Sequence, residues 1–119
     1  MLLEVTVEKP QPQDAVWLIS MTGELDFESA PRFTRVFSDA SPPAGNDVVL
    51  DLSQLGLLDS SGLAAVLDLY LRLESVGAQL VVVSSRACVT RMFTLTAVDE
   101  FVRVMDTREQ AVAALAHMN

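Results

Sequence analysis

The first part of the chain alternates apolar and polar side chains with the period of a β-strand. Residues 2–8 show this alternation, and residues 15–21 form a second, more apolar run after a short segment that contains two prolines. A period of two indicates a strand with one buried face, and the short connection favours a β-hairpin. We expect residues 22–26 to end a strand in a glycine turn that carries two carboxylates.

From residue 48 onward, apolar strands alternate with helical segments. Residues 48–52 are apolar on both faces except for Asp51, which is typical of a central strand in a sheet covered by helices. We expect a loop that ends in Leu57 and Leu58, then a tight polar turn, and then a helix that begins at about Ser61. The other predicted elements are a helix over 30–37, strands over 80–83 and 101–104, a helix over 87–93 and a C-terminal helix.

Capping residues and helical spacing define the predicted helices and their buried faces. The predicted caps are Ser29 for the helix over 30–37, Gly77 at the end of the helix over 61–76, Ser84 and Ser85 for the helix over 87–93, and Thr107 with Gln110 as a capping box for the last helix. The predicted core residues on these helices are Phe33, Val36, Phe37, Leu63, Val66, Leu67, Tyr70, Leu73, Ala111, Val112, Leu115 and Met118.

The predicted order of elements is β-β-α-β-α-β-α-β-α. Strands that alternate with helices require a mainly parallel sheet with right-handed crossovers. The proline-rich loop at residues 38–46 connects two elements and is not a domain boundary, because neither half could fold alone. The sequence therefore predicts an α/β fold in which residues 1–119 form one domain, with an N-terminal β-hairpin, a mainly parallel central sheet and four helices.

The charge of the chain is strongly acidic. Lys and Arg number 8 against 16 Asp and Glu, which gives a formal net charge of -8. Such a surface repels nucleic acids and anionic membranes, so a protein with a basic face is the expected partner. An acidic surface is also common in proteins that use it for no electrostatic purpose, and both interpretations stay open at this point.

Cysteine usage and hydropathy indicate a cytoplasmic protein. Cys88 is the one cysteine, so no internal disulfide forms, and its apolar neighbours predict a buried side chain. The N-terminus lacks the charged start and long apolar run of a secretory signal. Charged or polar residues interrupt every apolar run before it reaches the length of a membrane span.

The chain lacks the residues that most enzyme classes need. His117 is the one histidine and lies two residues from the end, so neither a Ser-His-Asp triad nor a Cys-His pair is available. The acidic residues are dispersed, which argues against a metal site, and no glycine-rich phosphate loop is present. We therefore expect neither catalysis nor a cofactor.

Asp51 resembles the phosphoacceptor of a response-regulator receiver, because it lies in a central apolar strand. Receivers also carry an acidic pair after the first strand and a lysine after the last. Here the first strand ends in Glu8 and Lys9, and Lys9 is the one lysine of the chain. The receiver interpretation is therefore rejected.

The turn at residues 59–62 brings a carboxylate and two hydroxyls to the start of a helix. One interpretation is ordinary capping, since Asp and Ser are favoured at helix N-termini and Gly eases a tight turn. The other is a modification site, because a helix N-terminus has unpaired N–H groups that tolerate a phosphate. Taken alone, the turn favours capping.

Four segments together resemble the STAS domain of bacterial anti-sigma factor antagonists, and the resemblance covers nearly the whole chain. They are Gly-Glu-Leu-Asp at 23–26, the strand at 48–52, Leu-Leu-Asp-Ser-Ser-Gly-Leu at 57–63 and Phe-Thr-Leu-Thr-Ala-Val at 93–98. The last segment has Ala97 where relatives often have glycine.

The resemblance implies a phosphorylated serine at position 61. It assigns Asp59, Ser60 and Gly62 to the phosphosite turn, Asp26 to an acidic loop beside it, and no catalytic or metal-binding role to any residue. It also implies two kinds of partner, an anti-sigma factor that is itself an ATP-dependent serine kinase, and a phosphatase. The protein then binds the anti-sigma factor when unphosphorylated, which frees a sigma factor, and phosphorylation releases it.

A second hypothesis keeps the STAS fold without the switch. In it the domain senses a small ligand or is a structural subunit of a signalling complex, and residues 59–61 only cap a helix. Phosphate on Ser61 after incubation with ATP and a kinase would distinguish the two.

Overall fold

A five-stranded mixed sheet forms the centre of the molecule, in a computed structural model that describes residues 2–8, 16–40 and 46–118. The elements in chain order are β1 (Glu4–Glu8), β2 (Val16–Leu25), α1 (Ala30–Ala40), β3 (Asp47–Leu58), α2 (Ser60–Ser75), β4 (Leu80–Val83), α3 (Ala87–Leu95), a short 3-10 helix (Val98–Glu100), β5 (Arg103–Met105) and α4 (Arg108–Met118). The predicted α/β fold and order of elements are confirmed. The hairpin turn with Lys9, most of the loop at 38–46 and the side chains of His117 and Met118 lie outside the described residues.

The strands lie side by side in the order in which they occur in the chain. β1 pairs antiparallel with β2 as the predicted hairpin, and every other neighbouring pair is parallel. Each crossover connection, from β2 to β3, from β3 to β4 and from β4 to β5, moves one strand further in the same direction across the sheet. Because crossovers between parallel strands are right-handed, the three connecting helices lie on the same face of the sheet. α1, α2 and α3 pack on that face, and α4 packs on the other.

Two hydrophobic cores lie on opposite faces of the sheet. The larger core buries Phe33, Leu63 and Phe93 of the three connecting helices against β2, β3 and β4. The smaller one packs Ala111 and Leu115 of α4 onto three valines of β3 and β4. Because β3 and β4 contribute to both cores, β4 is apolar throughout and residues 48–52 of β3 are apolar except for Asp51, as the sequence indicated.

The two strands that lead to the N-termini of α1 and α2 are longer than predicted. Gly23 does not end β2 in a turn, because it lies inside the strand with a φ of 107° between two register shifts. A side chain at this position would collide with the carbonyl oxygen of Leu2. The predicted loop before Leu57 and Leu58 is also wrong, since β3 continues to Leu58 through pairing with β2.

Several predictions of burial on the helices are corrected. Leu69 is fully buried on α2, whereas Leu67 and Tyr70 are only partly covered. Val112 is 50% exposed, because only residues one turn apart on α4, Ala111 and Leu115, meet the sheet. The predicted core residues Phe33, Phe37, Leu63, Val66 and Leu73 are confirmed, and Val36 is partly buried.

α3 begins differently from the prediction and exposes Cys88. Its N-cap residue is Arg86, which makes no side-chain cap, and the Ser84 hydroxyl instead accepts a hydrogen bond from the Arg86 amide at 3.2 Å. Cys88 is exposed because Val89 and Phe93 define the buried face of the helix. Both predictions for this segment, the Ser84–Ser85 cap and a buried cysteine, are therefore wrong.

The C-terminal helix begins with the predicted cap. The Thr107 hydroxyl accepts a hydrogen bond from the Gln110 amide at 3.1 Å, and the Gln110 side-chain oxygen accepts one from the Asp106 amide. The reciprocal bond thus reaches one residue further back than in a standard capping box. At the C-terminus of α2, Gly77 follows the C-cap residue Val76, in agreement with the predicted stop.

An ion pair between the buried Asp51 and the half-exposed Arg108 attaches α4 to the sheet. Arg108 donates from Nε to Asp51 Oδ2 at 2.5 Å and from Nη2 to Ser20 Oγ at 2.9 Å, so that it links β3 with β2. Burial by itself raises the pKa of Asp51, but hydrogen bonds from Ser53 and Arg108 outweigh it and lower the pKa below its ordinary value. Asp51 is therefore an internally paired carboxylate of the α4 face.

We expect Arg108→Gln to lower the free energy of unfolding at pH 7 by about 1–2 kcal/mol, because the buried Asp51 carboxylate loses its cationic partner. The effect stays this small because Arg108 is half exposed, so that water replaces part of the lost interaction. With its pKa lowered in the folded state, ionised Asp51 stabilises the fold above about pH 4, and this contribution is lost as the pH falls through the folded pKa. The difference between the two proteins therefore decreases in acid, which urea unfolding at several pH values measures.

Arg72→Gln is the matched control for this prediction. Arg72 pairs with Asp68 at 3.0 Å, but both side chains are about half exposed. We therefore expect Arg72→Gln to lower the free energy of unfolding by less than about 0.5 kcal/mol. Equal effects of the two substitutions at pH 7 would contradict the role of Arg108.

Candidate functional site

Asp59 is the N-cap of α2. Its backbone is extended, with φ -100° and ψ -176°, and its Oδ1 accepts a hydrogen bond from the Gly62 amide at 2.8 Å. Its carbonyl oxygen accepts the first bond of the helix, from the Leu63 amide at 2.9 Å. The helix therefore begins at Ser60, one residue before the predicted start, and the capping interpretation of Asp59 is correct.

A second polar turn follows β2 and leads into α1. Asp26 Oδ1 accepts hydrogen bonds from the amides of Glu28 and Ser29, each at 3.0 Å. The Ser29 amide above all, with help from its hydroxyl and from the Glu28 amide, lowers the pKa of Asp26. Asp26 is therefore an ionised acceptor that shapes this turn.

Ser29 does not cap α1 with its side chain, contrary to the prediction. Its hydroxyl donates to the carbonyl oxygen of Glu24 at 2.7 Å and accepts from the Asp26 amide at 2.9 Å. It therefore closes the turn between β2 and α1. The backbone carbonyl of Ser29 still accepts hydrogen bonds from the amides of Arg32 and Phe33 at the start of the helix.

Asp59 joins the two turns. Its Oδ2 accepts a hydrogen bond from the Phe27 amide at 3.0 Å, and its own amide donates to the carbonyl oxygen of Leu25 at 3.2 Å. This is possible because β2 and β3 are parallel neighbours, which brings their carboxyl ends together. Asp26 lies next to Phe27 in the joined turn, and its carboxylate bonds to its own turn.

Gly62 lies where the first turn of α2 crosses the end of β2. A Cβ at this position would overlap the Leu25 carbonyl oxygen and would lie 2.8 Å from Leu25 Cγ and 2.9 Å from a methyl group of Leu58. The same Leu25 oxygen accepts the bond from Asp59. The glycine therefore allows the close approach that keeps the two turns joined.

Ser60 and Ser61 differ from the polar groups around them. Ser60 is exposed and Ser61 is half-buried, and neither hydroxyl makes a hydrogen bond to another residue of the described ranges. By contrast, the carboxylates of Asp26 and Asp59 and the hydroxyl of Ser29 are bonded inside the fold. The hydroxyls of the two serines are thus available to another molecule.

Ser61 lies in an open groove between α1 and α2. The residues that line the groove are Phe27, Ala30, Pro31, Thr34, Arg35, Ser61 and Ala64. Phe27 is 76% exposed at one end of it. The arrangement leaves an apolar surface next to a free hydroxyl, which suits the docking of a protein segment.

Sequence reasoning missed Phe27 and Arg35 as site residues. Phe27 had a detectable signal, because an aromatic residue between Asp26 and Glu28 in a turn has no core face to occupy. Arg35 had none, since only the packing of α1 on α2 places it in the groove that Ser61 also lines.

The described part of the chain contains no group of three or more His, Cys, Asp or Glu side chains that could hold a metal ion. Within the same residues, no helix has both the length and the apolar character required to cross a membrane.

Comparison with known proteins agrees with this architecture. The sequence model of the STAS domain matches residues 6–111. This chain belongs to the STAS domain family. A relative from Thermotoga neapolitana, named provisionally as an anti-sigma factor antagonist, is 30% identical over 90 residues, which are 75% of this chain and 80% of the relative.

Two solved STAS structures illustrate the likeness in three dimensions. The anti-sigma factor antagonist from Mycobacterium paratuberculosis superimposes with a TM-score of 0.85 at 25% identity, covering 96% of this chain and 94% of that one. The phosphorylated form of the Bacillus cell fate determinant SpoIIAA has a TM-score of 0.69 at 21% identity, covering 93% and 98% of the two chains, and this likeness concerns the fold alone.

The departure from the usual STAS pattern at Ala97 has a physical consequence. Ala97 has a φ of 61°, and it is the one non-glycine residue with positive φ in the described ranges. A residue with a side chain pays a steric cost in this conformation, which explains why glycine suits the position. The backbone therefore keeps the conformation that glycine favours although the residue has changed.

We expect Gly62→Ala to destabilise the protein by about 1–3 kcal/mol, because the new methyl group forces Leu25 and α2 apart. Gly56→Ala is the control, since a Cβ there meets only one atom, at 3.6 Å. Urea unfolding of both variants tests the prediction. A Gly62→Ala protein as stable as Gly56→Ala would show that the close approach is not required.

Proposed function

We propose that this protein is an anti-sigma factor antagonist that binds an anti-sigma factor with serine kinase activity and is released when Ser61 is phosphorylated. The observation that supports this most directly is the Ser61 hydroxyl, which lies in an open groove and makes no hydrogen bond within the described residues, whereas both carboxylate oxygens of Asp59 are bonded inside the fold. A phosphatase returns the protein to its binding state. The cytoplasm is the proposed location of this cycle.

The relatives support the same assignment. Proteins named anti-sigma factor antagonists match this chain over most of its length, and one neighbour of the same fold has been solved in a phosphorylated form. The polar residues of this site supply a substrate hydroxyl and the turn that presents it. The catalytic groups of the cycle belong to the kinase and the phosphatase.

The proposed modification is a phosphoryl transfer from a nucleoside triphosphate bound by the kinase. The Ser61 oxygen forms a bond to the γ-phosphorus, the bond from that phosphorus to the bridging oxygen breaks, and a nucleoside diphosphate leaves. A base on the kinase takes the hydroxyl proton. The product is phosphoserine 61, one residue inside the N-terminus of α2.

The charge of the phosphate explains how it prevents binding. Phosphoserine adds about -1.5 to -2 charges at neutral pH to a chain whose formal net charge is -8. If the interface buries this group without a matching cation, the binding free energy becomes less favourable by several kcal/mol. This corresponds to a loss of at least about a hundredfold in affinity. The free N–H groups of α2 favour the same charge, so the modified protein stays folded.

The groove supplies the docking surface of the unmodified protein. Phe27 and Pro31 present apolar surface on one side of Ser61, and Ala64 does so on the other. The acidic chain attracts a partner whose face is basic. Docking over the groove therefore places Ser61 at the interface, where the presence or absence of a phosphate decides whether the partner binds.

We expect Ser61→Ala to bind the anti-sigma factor without regulation and Ser61→Asp to lose at least about tenfold in affinity, because a carboxylate carries part of the phosphate charge. Titration calorimetry with the partner protein measures both. Incubation with ATP and the kinase, followed by intact mass and peptide mapping, is expected to add one phosphate at Ser61.

Ser60 provides the matched control. Ser60→Ala is expected to accept phosphate at the wild-type rate, whereas Ser61→Ala accepts none. Equal affinity of Ser61→Asp and Ser61→Ala for the partner would refute the switch. Absence of phosphate with every candidate kinase would instead favour a STAS module that senses a ligand or builds a complex.

We expect Phe27→Ala to weaken binding of the unphosphorylated protein by about tenfold or more, because exposed aromatic residues at the centre of an interface dominate its energy. Phe101→Ala is the control, since Phe101 is 65% exposed in a cleft beside Tyr70 and Glu74, at the other end of α2. Equal losses for the two variants would show that the groove is not the docking surface.

A further inference from the structure

Arg35 is an unpaired cation in the groove that holds Ser61. It lies on the second turn of α1, is exposed, and makes no ion pair or hydrogen bond with any other residue in the described ranges. Two other arginines of the chain, Arg72 and Arg108, are each paired with a carboxylate. A free guanidinium on an acidic protein is available for a further anion.

The groove between α1 and α2 gives Arg35 a path to Ser61. Ala30, Thr34 and Arg35 line it on α1, and Ser61 and Ala64 line it on α2. Because the alanines at 30 and 64 have small side chains, the groove between the two helices stays open. The long arginine side chain can therefore lie across the groove toward the start of α2.

We propose that Arg35 binds the phosphate of phosphorylated Ser61 and that this ion pair closes the groove to the partner. The inference rests on the proposed function, since it concerns the regulation of the same site. The ion pair would act in addition to electrostatic repulsion between the phosphate and the partner. Phosphorylation would place a charge at the interface and also cover the apolar surface on which the partner docks.

The chemistry of the two groups supports this pairing. A guanidinium presents parallel N–H donors that match two phosphate oxygens, and such bidentate pairs are among the strongest charge-assisted hydrogen bonds. The Asp59 carboxylate does not compete for Arg35 in the described contacts, because its oxygens accept bonds from the Gly62 and Phe27 amides. The phosphate would thus be held between the N-terminus of α2 and Arg35.

Arg32 is the natural control for Arg35. It lies one turn earlier on α1 and is equally exposed, but it borders a different surface, with Asp26, Glu24 and Glu28. It does not line the groove that contains Ser61. A general effect of positive charge on α1 would require both arginines, whereas the proposed ion pair requires Arg35 alone.

The test uses full-length protein with phosphoserine introduced at position 61 during translation, so that no kinase is needed. Phosphorus NMR gives the second pKa of the phosphate in the unsubstituted protein and in Arg35→Gln, Arg35→Lys and Arg32→Gln. A nearby guanidinium favours the dianion, so we expect Arg35→Gln to raise this pKa by about 0.5 units or more. Arg35→Lys is expected to restore part of the difference, and Arg32→Gln to leave the pKa unchanged.

A binding measurement separates this inference from the function on which it rests. For each variant, the ratio of partner affinities without and with phosphate is determined, and we expect Arg35→Gln to reduce this ratio by about tenfold. An unchanged phosphate pKa in Arg35→Gln overturns the ion pair even if phosphorylation still releases the partner. A ratio of one in the unsubstituted protein overturns the switch itself.

Discussion

The hydrogen bonds of Asp59 hold the site together. With its amide, its carbonyl and both carboxylate oxygens, this residue bonds to Leu25, Leu63, Gly62 and Phe27. It thereby caps α2 and fixes the end of β2 against the end of β3. The position of Ser61, two residues further on, depends on this arrangement, because the first turn of α2 cannot move without breaking one of these bonds.

The polar residues of the site fall into two groups, those bonded inside the fold and those left available to another molecule. The acidic side chains, Asp26 and Asp59, accept amide hydrogen bonds and shape the two turns, and these bonds lower the pKa of Asp26. The hydroxyls of Ser60 and Ser61 make no such bonds in the described part of the chain. The bonded carboxylates thus fix the turn in which the two hydroxyls stay available to another molecule.

The rest of the fold keeps this surface open. Three helices cover the face of the sheet that contains the larger core, and α4 covers the other face through Ala111, Leu115 and the Arg108–Asp51 ion pair. Both faces of the central strands are therefore buried, and within the described residues no helix or strand crosses the groove between α1 and α2. The proposed docking and phosphorylation would take place at one end of the sheet, away from both cores.

The sequence alone determined the order of elements, the parallel sheet and the polar turn at the start of α2, because apolar periodicity, capping residues and the Asp-Ser-Ser-Gly motif are local signals. Tertiary structure decided the rest. Gly23 and the segment before Leu57 were mistaken for turn and loop because only pairing between β2 and β3 continues these strands. Likewise, packing of α1 on α2 places Phe27, Arg35 and Ser61 in one groove, and no local pattern encodes a groove between residues so distant in the chain.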